Sequence, residues 1–455
     1  MRFDESVAHR LRSGDYDRWM RNVASTGYCH NPVRLVGSTA TLREASGEVL
    51  SEYSSANEPD GITFTRCGNR RAARCESCSH EYKGDTWHMI MAGAAGGMKE
   101  VPEEVAEHPM VFLTLTAPSF GAVHTTAADR RTGVCQHGNQ TGCRCHHDAD
   151  DPQRGDAVCA ECYDYVGHVV WQYHAPELWR RFTIRLRREL ARSLGMTQRE
   201  AGRIVRLQFA KVAEFQRRGV VHFHAIVRLD GIHPEQPFPA PPAAVTTEHL
   251  VAAIRTAVRG TRVPATPLPD EHRSRTLTWG KQFDVRPIVR RDGLDGSLSD
   301  RAVAAYIAKY ATKATEDLEP TGAGRDHIKR IKSTVLELAA IVDSEGPYAQ
   351  LHRWDGMLGF RGHFSTKSRR YSVTLGSLRG ARRTWRLSRL LARTSPNEEI
   401  GPDEVLVIGS WAYAGMGWLT DGDKALATEA AGAAREWRTQ RSHDRTTPPN
   451  ERTTT

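Results

Sequence analysis

No stretch of this 455-residue chain approaches the roughly 20 consecutive apolar residues that a membrane-spanning helix requires. The start, Met1-Arg2-Phe3-Asp4-Glu5-Ser6, lacks the apolar run and small-residue cleavage site of a secretory leader, so the cytoplasm is the expected compartment. No GxxxxGK[ST] motif occurs, which excludes a P-loop nucleotide hydrolase. No internal repeat is visible. Cysteine is absent from the last 293 residues, all nine copies falling at or before Cys162. Such clustering, in a chain far too long to be a disulfide-stapled miniprotein, points to metal sites rather than disulfides.

What is present is ordinary for a soluble globular chain, with 39% hydrophobic and 26% charged residues and length for about three domains. Sixty-three Lys plus Arg against 54 Asp plus Glu leave a formal charge of +9. Arginine carries most of the excess and suits bidentate phosphate contacts, so nucleic acid is the leading partner class.

The run Val111-Phe112-Leu113-Thr114-Leu115-Thr116 predicts a strand that stops at Pro118. Over Glu177–Leu194, Leu178, Phe182, Leu186 and Leu190 recur at helical spacing against Arg181, Arg185, Arg188 and Arg192, a basic amphipathic helix. Ile204–Phe215 and Gly219–Leu229, separated by Gln216-Arg217-Arg218, predict a hairpin. A proline-rich loop at 234–242, a strand over Thr276–Val289 and a helix over Asp300–Thr315 with Asp300 as N-cap complete the pattern. Strand, helix, hairpin, strand, helix implies an α+β fold with a mostly antiparallel sheet. The expected division is a small zinc-stabilised lobe over 1–105, a sheet core over 106–320 with a zinc-binding insertion at 135–162, a basic DNA-binding region over 321–428 and a disordered tail over 429–455.

The chemistry concentrates at Glu214 and at His222-Phe223-His224. Residues two apart on a strand share a face, so the two imidazoles project together, and Glu214, just before the hairpin turn, could add a carboxylate. Two histidines and one carboxylate leave coordination positions open, as catalysis needs. The bland alternative is a histidine pair on a solvated sheet face and an ordinary strand-end carboxylate. A third histidine at 226 would suggest a histidine-triad hydrolase, but that residue is Ile226. Downstream, Tyr306 and Tyr310 lie one helical turn apart, each followed three residues later by a lysine, Lys309 and Lys313. A phenol with a pKa near ~10 becomes a nucleophile only when positive charge stabilises the phenolate, which lysines or a metal ion can do. An aromatic stripe packed in a core is the competing account.

In order, Phe112-Leu113-Thr114-Leu115-Thr116, His222-Phe223-His224 and Tyr306-x-x-Lys309-Tyr310-x-x-Lys313 resemble the three motifs of the rolling-circle replication initiators, the HUH endonucleases. The paired tyrosines are similar to the phage-type branch. Cys67-Gly68-Asn69-Arg70-Arg71 with Cys75-x-x-Cys78, Thr116-Ala117-Pro118-Ser119-Phe120-Gly121, Cys162-Tyr163-Asp164-Tyr165 and Leu178-Trp179-Arg180-Arg181 resemble the RepSA-type initiators of actinobacterial plasmids and integrative conjugative elements. The resemblance runs from about residue 25 to 390.

It implies a ferredoxin-like antiparallel sheet with the histidine strand central and the tyrosine helix beside it. It further implies Mg2+ or Mn2+ on His222, His224 and Glu214, and attack of Tyr306 or Tyr310 on single-stranded origin DNA, with Lys309 and Lys313 stabilising charge. The products are a 5′-phosphotyrosine and a 3′-OH primer. Which tyrosine acts first stays open. Lacking a P-loop, the chain needs a host helicase besides origin DNA and the replication machinery.

Cys159 and Cys162, with Cys135 and Cys143 upstream, supply four thiolates at zinc-ribbon-like spacing, and Cys145 competes with Cys143. The family pattern favours Cys143. Cys29, Cys67, Cys75 and Cys78 make a second set, with His30 and His80 as substitutes for Cys29. Two structural Zn2+ are therefore expected. From Arg361 to Arg393 the chain has ten Lys or Arg and no acid, interleaved with Phe364, Tyr371 and Trp385 that could stack on bases. A conjugative relaxase or transposase would use the same chemistry, and a zinc-containing DNA-binding regulator would use none.

Overall fold

The computed structural model describes residues 3–127, 133–148, 150–269, 274–289, 298–299, 303, 326–341, 346, 348–396 and 398–446. The chain divides into two compact units, Met1–Gly84 with Leu375–Thr455, and Asp85–Thr374.

In the first unit, β1 (Val33–Arg43) pairs antiparallel with β2 (Val49–Ser54) and β3 (Thr63–Thr65) on one side and with the distant β12 (Val405–Met416) on the other. That long pairing is why the two chain ends share a unit. Trp19 and Val23 of α2 (Tyr16–Ser25) pack with Ile62, Phe64 and Ala427 of α9 (Asp421–Thr446). Arg10 of α1 (Phe3–Arg12) is buried against Asp423 at 2.8 Å and Asp60 at 2.5 Å, with its guanidinium 5.2 Å from the Trp19 ring centre. These contacts seat the first turns of α9, which is helical through Thr446, into the stretch where a disordered tail was expected from residue 429. Tertiary packing of small alanines supplies what its low apolar content does not.

The second unit is built on a six-stranded sheet. Its order is β10 (Leu298–Ser299), β9 (Phe283–Val289), β4 (Met110–Leu115), β6 (Val221–Asp230), β5 (Arg206–Phe215) and β11 (Ser365–Lys367). Every pairing is antiparallel except that of β9 with β10. The strand expected over Thr276–Val289 is two, because residues 276–277 form β8 (Thr276–Leu277), paired with β7 (Val263–Pro264), and only then does β9 begin. The fold is α+β, as the sequence suggested. Helix α3 (Glu76–Ala95) contains Gly93, which lies where a Cβ would strike the buried Tyr371 ring. The hairpin helix-to-sheet connection is α5 (Gln198–Ile204), opened by a Thr197/Glu200 capping box.

One face of the sheet carries Leu113, Leu115, Phe223, Ala225 and Val227, buried with Leu178, Phe182 and Leu186 of α4 (Tyr165–Ser193) and Ala253, Ile254 and Ala257 of α6 (Thr247–Gly260). Ile328, Ile331 and Val335 of α7 (Asp326–Ala340) join the same core. Lys211 projects among them. Its ammonium lies 4.2 Å from the Phe223 ring centre and 3.3 Å from the His363 carbonyl oxygen, to which it donates.

Desolvation pushes Lys211 down to about 7. The unfolded chain then holds more protons than the folded one between about pH 7 and the ordinary lysine value, so stability rises with pH across that window. Lys211→Met should flatten this slope in urea titrations and raise stability at pH 7 by on the order of a few kcal/mol. An unchanged slope would show that Lys211 is not the titrating group.

Candidate functional site

The β5–β6 turn is clamped from α4. Gln172 donates to the Gly219 carbonyl at 2.8 Å and accepts from the Val221 N–H at 2.9 Å. His168 donates from Nε2 to the same carbonyl at 3.3 Å while its Nδ1 accepts from the Tyr163 hydroxyl at 3.0 Å. Burial pushes His168 down to about 3, so this link is made by a neutral ring. Gly219 has φ +79°, and a Cβ there would meet Ile331 at 2.8 Å, so the turn requires glycine.

This clamp sets the register that pairs Glu214 with His222, and Val212 and Thr114 with His224. Thr114, Glu214, His222 and His224 therefore share the face away from α4. His224 is gripped at both nitrogens, by Glu214 Oε2 at 3.0 Å from Nε2 and by Thr114 Oγ1 at 3.1 Å from Nδ1, with the Phe112 ring stacked at 5.8 Å. The His222 ring centre lies 6.1 Å from that of His224. Its Nε2 is buried and has no hydrogen-bond partner among the described residues. Desolvation, with His224 and Arg218 nearby, pushes His222 down to about 3, so its lone pair is available throughout the neutral range.

Adjacent ligands of an octahedral ion at about 2.1 Å sit about 3.0 Å apart, the Glu214–His224 separation. The orphaned His222 nitrogen is the natural third donor. The donor set thus fits a hard divalent cation, although these three donors are not among the groups closed to within 4.8 Å. Tyr306, Lys309, Tyr310 and Lys313, and the helix expected to carry them, lie outside the described residues.

Three groups of ligand atoms do close to within 4.8 Å among the described residues: Cys29, Cys67, Cys75 and Cys78; Cys135, His137, Cys159 and Cys162; and His124, Cys143 and His147. None of the nine cysteines is in a disulfide. In the first group, Cys29 to Cys75, Cys29 to Cys78 and Cys67 to Cys78 are each 3.7 Å between sulfurs. The edge of a tetrahedron of thiolates at about 2.3 Å from zinc is about 3.8 Å. Hydrogen bonds among the crowded thiols hold Cys75 down and push Cys29 up, since adjacent thiolates resist ionising together without a cation between them.

In the second group, Cys135 and Cys159 are also 3.7 Å apart, and His137 Nδ1 lies 3.3 Å from Cys162 and 3.7 Å from Cys159. The second zinc set expected from the sequence is corrected here. His137 takes the place given to Cys143, because the turn at Gly138 folds His137 back beside Cys135 whereas Cys143 lies against His124. Cys145, the competing cysteine, is exposed and belongs to no group.

Residues 15–432 match the family model of the replication initiator protein of pSAM2, named RepSA. A replication initiator protein from Streptomyces ambofaciens is 43% identical over 429 residues, covering 92% of this chain and 90% of that protein. The chain belongs to the RepSA family of replication initiators. No solved structure matches it.

The basic stretch of this RepSA chain is split by burial. Phe364 and Tyr371 are core residues, the latter donating its hydroxyl to the Ile90 carbonyl, so the expectation that they stack on bases is overturned. Trp385, on α8 (Leu375–Thr394), is 59% exposed and has the Arg389 guanidinium 5.1 Å from its ring centre. Arg379, Arg383, Arg386 and Arg393 are exposed at spacings of four, three and seven, which places them along one face of α8. No described helix is long and apolar enough to cross a membrane.

His124, His137 and His147 escaped the sequence reading. The spacings Cys135-x-His137 and Cys143-x3-His147 are the signals that could have raised two of them. Cys78→Ser should lower zinc by one equivalent per chain in metal analysis of the purified protein and cost several kcal/mol of stability in the first unit, since structural zinc binding is folding energy. Unaltered zinc content would remove the first group from the list of metal sites.

Proposed function

We propose that this RepSA-family chain nicks one strand of its origin by tyrosine attack at the Glu214–His222–His224 face, leaving a 5′-phosphotyrosine and a 3′-OH that primes rolling-circle synthesis. The observation that carries the reading is the convergence on one sheet face of a clamped histidine–carboxylate pair and a buried histidine nitrogen without a partner among the described residues. A bound Mg2+ or Mn2+ supplies Lewis-acid polarisation of the scissile phosphate. The protein's part is to hold the donors. Thr114 and Glu214 orient His224 from both sides, and the α4 clamp keeps Glu214 and His222 opposite one another.

Tyr306 or Tyr310 loses its hydroxyl proton and attacks phosphorus. The bond from phosphorus to the 3′ oxygen breaks, and that oxygen leaves with a proton as the 3′-OH. Lys309 and Lys313 stabilise the phenolate. The phosphoester bond is conserved, so the second tyrosine can later cut and rejoin the displaced strand. The exposed arginines of α8 with Trp385 suit the DNA backbone and an unpaired base. A host helicase opens the duplex.

Purified protein, supercoiled plasmid bearing the origin and Mn2+ or Mg2+ should give a nicked circle covalently attached to protein, lost in the Tyr306→Phe/Tyr310→Phe double variant and reduced at least 100-fold in His224→Ala. Binding without nicking or covalent attachment in the unaltered protein would leave a zinc-containing DNA-binding regulator as the account. Replacing Arg383 and Arg386 together by Ala should weaken origin binding and lower the slope of log affinity against log salt by about 1 per arginine. Filter binding from low to moderate salt checks this.

A further inference from the structure

The group His124, Cys143 and His147 belongs to neither four-ligand set. His124 Nδ1 lies 3.0 Å from His147 Nε2 and 3.4 Å from the Cys143 sulfur, and Cys143 and His147 are buried. The other nitrogen of His147, Nδ1, donates to Asp151 Oδ2 at 2.7 Å. That bond places the His147 lone pair on Nε2, aimed at the point His124 and Cys143 also face. A carboxylate behind a histidine is the usual support of a metal-ligating imidazole.

We propose that His124, Cys143 and His147 bind a third Zn2+, with His147 oriented by Asp151 and the fourth coordination position open to solvent. Binding releases the Cys143 thiol proton and joins the segment of His124 to the loop that carries Cys143 and His147. His124 sits in a short ladder, its N–H donating to the Asp156 carbonyl and its carbonyl accepting from the Gly155 N–H, both at 2.9 Å. Cys143 and His147 come from the following loop. Asp151 links the group onward, its carbonyl accepting from Arg217 at 2.8 Å. Arg217 belongs to the β5–β6 turn between Glu214 and His222. Gly155 presses on the same residue, since a Cβ there would meet the Arg217 backbone at 2.7 Å. The third metal thus fastens the insertion to the turn beside the histidine face, and Asp151 is a positioning residue for both.

Metal analysis of the full-length protein should give three zinc per chain, falling to two in Cys143→Ala and in His147→Ala and remaining three in Cys145→Ala and in Cys143→His, which keeps a donor. Limited proteolysis should cut both two-zinc variants between residues 124 and 158 at least tenfold faster. X-ray absorption at the zinc edge of the unaltered protein gives a readout independent of any variant's folding. Eight thiolates over three ions yield about 2.7 sulfurs per zinc, against about 3.5 if only the two four-ligand groups are filled. Two zinc in the unaltered protein, or three retained in Cys143→Ala, would overturn the proposal. So would loss of zinc in Cys145→Ala with retention in Cys143→Ala.

Discussion

The pairing of β6 between β4 and β5 is the constraint on which the rest of the second unit depends. Alternation along β6 sends Phe223, Ala225 and Val227 into the core under α4 and sends His222 and His224 the other way. A one-residue slip would exchange the two sets, burying imidazoles among leucines and exposing the core face. The apolar face therefore guards the polar one. Gln172 and His168 add to this by tying the turn to α4, so that Glu214 meets His224 because helix and hairpin cannot slide.

Groups of cysteines and histidines at ligand separation stand where there is little apolar packing. Among the described residues from 122 to 162, only Val123 and Ala157 pack partly on the main core. Its order rests on short ladders and on cysteines and histidines brought to ligand separation. In the first unit the four-cysteine group and the buried Arg10–Asp423 pair add to the β1–β12 pairing and the apolar packing around Trp19. The buried pair joins α1 to α9, so replacing Arg10 would leave the buried Asp423 carboxylate uncompensated.

The hairpin, the strand before Pro118 and the apolar face of α4 were legible because each has a simple period and a clear terminator. The first half of α4 was not. Val169, Val170, Trp171, Tyr173 and Ala175 are buried around much of the helix, so no polar stripe marks them, and Pro176 reads as a start although it sits inside. The helical tail was missed for the opposite reason, since its sequence is weakly apolar and its order comes from α1 and α2.

By itself the sequence determined the α+β class, the family-bearing motifs and the His-x-His face, because strand period and residue spacing are local properties. It also determined that any cysteine-based metal site would fall in the first 162 residues. Only the tertiary structure decided which donors meet: His137 with Cys135, Cys159 and Cys162; Cys143 with His124 and His147; Glu214 with His224. Ligand sets are closed by turns and strand register that bring together residues up to tens of positions apart, and burial separated Phe364 and Tyr371 from Trp385 in what the sequence presents as one basic, aromatic run.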